Sequence, residues 1–222
     1  MSSETWVIAR FTVLMALLAT MLVLPPAIAI GWLLARKHFF GKTLLETVVS
    51  LPLVLPPVAS GLILLWLFGR RSLLGRALDA AGIEVIFTWK AVVIAMMVIS
   101  FPLVTRSVRA GIEQVDRRYE QIAATLGAGA FRILRTITLP LAARGIAAGA
   151  VLGFSRALGE FGATIMIAGA IPGRTRTLAV GIYTLVETGR EDAAWSLLVV
   201  SALLAFGAIY LSNRLLDRRS AI

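Results

Sequence analysis

Three stretches of this chain run without a single charged residue: 11–35, 47–69 and 193–213. A helix crossing a bilayer needs about 20 predominantly apolar residues, because in hydrocarbon each backbone N–H and C=O must be satisfied within the segment. These three windows are therefore read as membrane spans. The first, Phe11 to Ala35, covers 25 residues, longer than the apolar region of a secretory leader, and no small-residue cleavage pattern follows it.

Two more spans are expected from less regular sequence. The window 91–105 is short, but Phe87 and Trp89 extend it and Lys90 can reach the interface, giving a span over about 86–105. Another is expected over about 138–156, around the uncharged run Gly145 to Ser155, with Arg144 one turn inside its start. Residues 161–171 are apolar but too short to cross, and are expected to form an extension or a re-entrant turn buried in protein.

With hydrophobic residues at 59%, charged residues at 15% and mean hydropathy +0.88, the expectation is an all-α, multi-pass integral membrane protein with one membrane domain over 1–222. The net charge of +10 is spread between apolar spans, with no run of five basic residues and no aromatic-interleaved basic stripe. Nucleic acid is therefore not expected as a partner. The absence of cysteine excludes disulfides, thiolate metal sites and thiol nucleophiles. His38 is the sole histidine and lacks the neighbours of a metal or catalytic cluster.

Five spans place the termini on opposite sides, and the Lys/Arg bias selects which. With the N-terminus outside, the inner segments 36–43, 106–138 and the C-terminal tail hold 12 basic residues, the last three being Arg214, Arg218 and Arg219, against nine on or near the outer side. The expected orientation is N-terminus outside, C-terminus cytoplasmic.

The inner segment 106–138 is dense in charge. Ile112, Val115, Tyr119, Ile122, Ala123 and Leu126 recur at helical spacing, which predicts one amphipathic helix ended by Gly127. Phe131, Leu134 and Ile137 predict a second helical stretch, with Pro140 in the first turn of the following span, where its missing N–H costs little. Two readings fit: a docking surface for a separate motor, or a helical face packed on its own protein.

Other features also carry two readings. Pro52, Pro56 and Pro57 interrupt the second span, as a kink beside a pathway or a packing kink. Gly145, Gly149 and Gly153 form a ridge at i, i+4, i+8 that permits close helix approach, within one subunit or between two. Arg156 and Glu160, at i, i+4 near the outer end of a span, either neutralise each other or leave Glu160 as a gate that repels anions. Ser155 and Thr164 either line a path with hydroxyl donors or bond back to their own helices. Gly41-Lys42-Thr43 has the ending of a phosphate-binding loop, but Arg36 stands where its first glycine belongs and a membrane helix precedes it. No nucleotide site is read there.

Gly127, followed after nine residues by Ile137-x-Leu139-Pro140 and preceded by Ala123 and Ala124, resembles the EAA loop of bacterial ABC importer permeases. Gln121 and Ile122 stand at the consensus Glu and first Ala, and the acid Glu120 comes one residue early. Phe39-x-Gly41-Lys42, Leu51-Pro52-Leu53-Val54-Leu55-Pro56-Pro57, Thr125-Leu126-Gly127-Ala128-Gly129, Arg156-Ala157-Leu158-Gly159-Glu160-Phe161-Gly162-Ala163-Thr164 and Ile171-Pro172-Gly173-x-Thr175-Arg176-Thr177 together resemble molybdate importer permeases. The Gly-Glu-Phe-Gly stretch is similar in sulfate permeases. The Ile-Pro-Gly-x-Thr-Arg-Thr segment, with Tyr183-Thr184-Leu185, leans toward molybdate.

That resemblance implies a five-transmembrane-helix importer core of the MetI-like type with a cytoplasmic coupling helix, in a bacterial inner or plasma membrane. It implies a homodimeric pore, a separate ATP-binding subunit that binds and hydrolyses ATP, an external molybdate-binding protein, and no cofactor or metal in this chain. The coupling residues it implies are Glu120, Gln121, Ala123, Ala124, Gly127, Ala128, Arg132, Leu139 and Pro140. Pro56, Pro57, Ser155, Glu160, Phe161 and Thr164 are the expected pathway or gate residues, and Gly145, Gly149 and Gly153 the packing ridge. Sulfate or tungstate is the alternative cargo. A passive channel needs no motor, and an intramembrane enzyme needs a nucleophile and base or a metal cluster that the residues do not offer.

Overall fold

A computed structural model of the protein describes residues 3–217. Arg218 and Arg219, used in the orientation argument, lie outside the described residues. The described chain is helical, with no strand: α1 Ser3–Arg36, α2 Lys42–Val54, α3 Pro57–Phe68, α4 Leu73–Ala80, α5 Trp89–Glu113, α6 Arg117–Thr125, α7 Ala130–Ile133, α8 Leu139–Leu158, α9 Gly162–Ala168, α10 Leu178–Glu187 and α11 Glu191–Asp217. A π-turn, Leu134–Thr138, joins α7 to α8.

Four helical runs are long and apolar enough to cross a membrane: Glu4–Arg36, Trp89–Glu113, Ala130–Leu158 and Glu191–Leu211. A fifth crossing exists if α2 and α3, bent by 111° at their junction, count together. The window 47–69 is therefore not one kinked helix, and the reason is local. Leu55 and Pro56 each precede a proline, which disfavours the helical region for both. They stand extended, at ψ 139° and 133°, and Pro57 then starts α3 at a position where no N–H is needed.

α5 lies at the centre. Some 61% of its apolar window is buried inside the chain, against 17% for α11, so α11 lies at the periphery of the helices described. Val92, Met96, Ile99, Val104, Val108 and Ile112 form its buried side, packed against α1 and α8. The α5–α8 contact is as close as backbones allow. A Cβ on Gly145 would stand 2.7 Å from the Gly111 Cα, and one on Gly149 would stand 2.9 Å from the Ser107 Cβ. A Cβ on Gly153 would collide with Val104. The ridge is spent on packing inside one subunit.

Two expected boundaries move. α5 begins after Phe87, which adopts φ 59° and donates its N–H to the Ile167 carbonyl, so Phe87 belongs to a turn and not to the span. The third long run starts at Ala130 and not near 138, so Pro140, in the first turn of α8 as expected, stands ten residues inside the run. The π-turn just before Pro140, where Leu139 N–H bonds Leu134 O five residues back, lets the helix pass a residue that cannot donate. α10 was not foreseen. Its N-terminus is held by Thr12 of α1, whose Oγ1 accepts from Leu178 N at 2.9 Å.

Candidate functional site

The inner segment forms a short protruding unit. α5 ends at Glu113 with Ile112 buried, Val115 anchors in the same core, and Asp116 starts a new helix by accepting a hydrogen bond from Arg118 N at 2.9 Å. The single amphipathic helix expected over 112–126 is thus two helices. An Asp at this point offers the backbone a cap in place of helix continuation, while Val115 is drawn into the core.

α6 buries none of its residues. Tyr119, Ile122 and Leu126, with Phe131 of α7, are exposed at 57%, 59%, 82% and 76%, an apolar cluster carried on a charged helix. Gln121, Ala124, Arg132 and Pro140 are exposed as well, whereas Ala123, Ala128 and Leu139 are half-buried. Gly127 closes α6 at φ 84°, with Gly127 N bonding Ala124 O and Ala128 N bonding Ala123 O, both at 3.0 Å. This double bond pattern needs a left-handed residue, which explains the glycine at that place.

Glu120 does not face outward with its neighbours. Its Oε1 accepts from Arg36 Nε at 3.1 Å and from Thr138 Oγ1 at 2.6 Å, joining α6 to the end of α1 and to the π-turn. Arg36 Nη2 also donates to Val115 O at 2.9 Å, and Arg117 Nη2 donates to Ala35 O at 3.2 Å. The Arg36 and Glu120 side chains keep only 8% and 18% of their exposure. Glu120 is a clip that fixes the unit to the membrane helices. Residues 36, 120 and 138 are too far apart in sequence for any spacing rule to pair them.

Of the expected pathway residues, those of the segment 160–164 lie at the start of α9, which meets the α2–α3 elbow. A Cβ on Gly162 would stand 2.7 Å from the Pro57 Cβ, so the start of α9 lies against the second proline of the elbow. Glu160, 1% exposed, caps α9 by accepting from Ala163 N at 2.8 Å, and its other oxygen lies 3.0 Å from Arg156 Nη1. Glu160 thus lies in the link between α8 and α9, with its charge answered by Arg156 from the end of α8. Phe161 packs on Tyr183 with ring centroids 4.9 Å apart. Thr164 and Ser60 are buried with unpartnered hydroxyls. The Ser155 hydroxyl bonds back to Val151 O at 2.8 Å.

Two sequence signals prove structural. Ile171 O accepts from the N–H groups of Arg174, Thr175 and Arg176, and Thr177 Oγ1 caps α10 at Val180 N, so the Ile-Pro-Gly-x-Thr-Arg-Thr segment builds a turn and a helix start. Gly41, at φ 88°, is only the N-terminal flank of α2. Among the described residues there is no group of three His, Cys, Asp or Glu side chains placed to hold a metal.

The model of the family "Binding-protein-dependent transport system inner membrane component" matches residues 27–222. The chain is 45% identical to the molybdenum transport system permease protein ModB of Escherichia coli over 215 residues, covering 96% of this chain and 94% of that protein. Against ModB of Haemophilus influenzae it is 45% identical over 197 residues, 88% and 86% of the two chains. Against the sulfate transport system permease protein CysW of Synechococcus elongatus it is 36% identical over 198 residues, 89% and 68%. The fold matches a crystal structure of a bacterial ABC transporter that imports alginate, with TM-score 0.72 at 17% identity, covering 96% of this chain and 80% of that one. It also matches the inward-facing MetNI methionine ABC transporter, with TM-score 0.66 at 16% identity, 97% and 99%. The chain belongs to the family of binding-protein-dependent transport system inner membrane components.

Proposed function

We propose that this chain is the membrane subunit of an ATP-driven importer of molybdate. The observation that carries the reading is identity of 45% to a molybdenum permease across 96% of the chain, against 36% to a sulfate permease. Two copies would form the pore, α6 and α7 would seat in a cleft of an ATP-binding subunit, and an external binding protein would deliver the anion. ATP binding and hydrolysis fall to the partner subunit, and the chain's own work is mechanical. The exposed apolar cluster Ile122, Leu126 and Phe131 supports the docking role, since it projects from the face opposite the one where α1 and α11 begin.

The same geometry supports an N-terminus outside and a C-terminus in the cytoplasm. Arg36 at the end of α1 meets the docking unit, while Glu4 at its start meets Arg176 on the far side. A reporter fused after Leu216 reads cytoplasmic on this proposal, and an extracytoplasmic reading contradicts it.

The test of cargo is uptake of labelled molybdate, with sulfate as competitor, in cells lacking and regaining this gene. Restored uptake that excess sulfate leaves intact is expected. Uptake abolished by sulfate would assign the chain to sulfate instead.

A further inference from the structure

A cleft of about 560 Å³ opens between α2 and α5, lined among others by Glu46, Thr47, Ser50, Thr105, Arg106 and Arg109. At about 1.5 Å per residue, Arg106 stands about 26 Å along α5 from Trp89, in the inner part of the span. That is the inner end of the span, where a charged side chain either reaches the interface or lines a water-filled cavity.

The two arginines are treated differently. Arg109 Nη1 lies 2.7 Å from Glu46 Oε1 and its Nε lies 2.7 Å from Glu113 Oε1, so its charge is fully answered. Arg106 meets no carboxylate among the described residues; its Nη2 donates to the neutral Ser50 Oγ at 2.9 Å. A guanidinium that served only to zip α2 onto α5 would be expected to take an acid, as Arg109 does. A second, independent feature stands beside it. Thr105, 1% exposed and on the lining, has a hydroxyl with no hydrogen-bond partner. Buried donors are almost always satisfied, and one left open at a cleft wall is a position for a ligand atom. Ser50 Oγ accepts from Arg106, which leaves its own proton to give.

We infer that the cleft between α2 and α5 holds a tetrahedral oxyanion on the inner side of the membrane, bound by Arg106 with Ser50 and Thr105 as hydroxyl donors. The inference rests on the oxyanion-import reading and adds to it a site within the permease itself. The planar guanidinium fork suits two oxygens of one anion, and the hydroxyls suit the others. Glu46 also lines the cleft but is turned to Arg109, which it shares with Glu113, so Arg106 is the cation on the lining that meets no carboxylate among the described residues. Opening of the α2–α3 elbow would move Ser50 relative to Arg106 and so change the affinity of the site.

The test is equilibrium binding of radiolabelled molybdate, tungstate and sulfate to the purified full chain in lipid nanodiscs. The wild type is expected to bind at least one of them saturably. Arg106→Gln is expected to weaken it by about tenfold or more, the loss of one charge-assisted hydrogen bond, with Arg106→Lys intermediate and Thr105→Val weaker by about threefold. Arg106 is exposed, so the melting midpoint of Arg106→Gln should equal that of the wild type. Absence of saturable binding of all three anions, or equal binding by Arg106→Gln and wild type, would overturn the inference. Saturable binding by a chain that restores no uptake in cells supports the site and removes the import reading; uptake without such binding does the reverse.

Discussion

Glu120 shows how one carboxylate can anchor a protruding helix to the helices beneath it. Two side chains from two segments, Arg36 and Thr138, converge on it, and the pair with Arg36 is mostly out of solvent. Hydrogen bonds to a charged group contribute about 1.5–3 kcal/mol, and a partner left unpaired in a buried position adds to the loss. Glu120→Ala is therefore expected to lower the melting midpoint of the protein in detergent by several degrees and to reduce uptake per ATP hydrolysed. Gln121→Glu, which restores the consensus acid at an exposed position, should change stability by less than about 0.5 kcal/mol. An unchanged midpoint in Glu120→Ala would show that the clip carries no stability. The sequence showed the displaced acid but not its meaning, because Arg36 and Thr138 become its neighbours only through tertiary packing.

At the scale of elements, legibility followed the range of the cause. The glycine ridge and the Gly127 cap could be read from spacing, since both depend on residues within one or two turns. The elbow was visible as prolines, but its angle depends on two successive pre-proline residues both turning extended. The break at Asp116 escaped the periodicity because Ile112 and Val115 stay in phase with Tyr119 and Ile122 across it, although the first pair is buried and the second exposed. α10 escaped because its anchor, Thr12, lies at the other end of the chain. The docking unit suggests a cleaner probe than substitution at Gly127, where any side chain strains the left-handed turn. Leu126 is 82% exposed, so Leu126→Asp should leave the fold intact while abolishing co-purification of the permease with an ATP-binding subunit. Full co-purification of that variant would contradict docking through this surface.

The whole molecule links three levels. A buried central helix, α5, carries the inner arginines on one side and the glycine contact with α8 on the other, and its end leads directly into α6 and α7, the proposed docking unit. Force applied to α6 reaches α1 through Arg36 and α8 through Thr138, without passing through a flexible loop. Close packing makes such an assembly switch between arrangements and resist gradual deformation. That is the mechanical requirement of a pore opened and closed by a motor in water. The most direct test is labelled molybdate uptake into lipid vesicles holding the permease, its ATP-binding subunit and its binding protein, with and without ATP. The account predicts accumulation that requires ATP and is lost with Leu126→Asp. Equilibration of molybdate across the membrane without ATP or the motor subunit would contradict it and make the chain a passive channel.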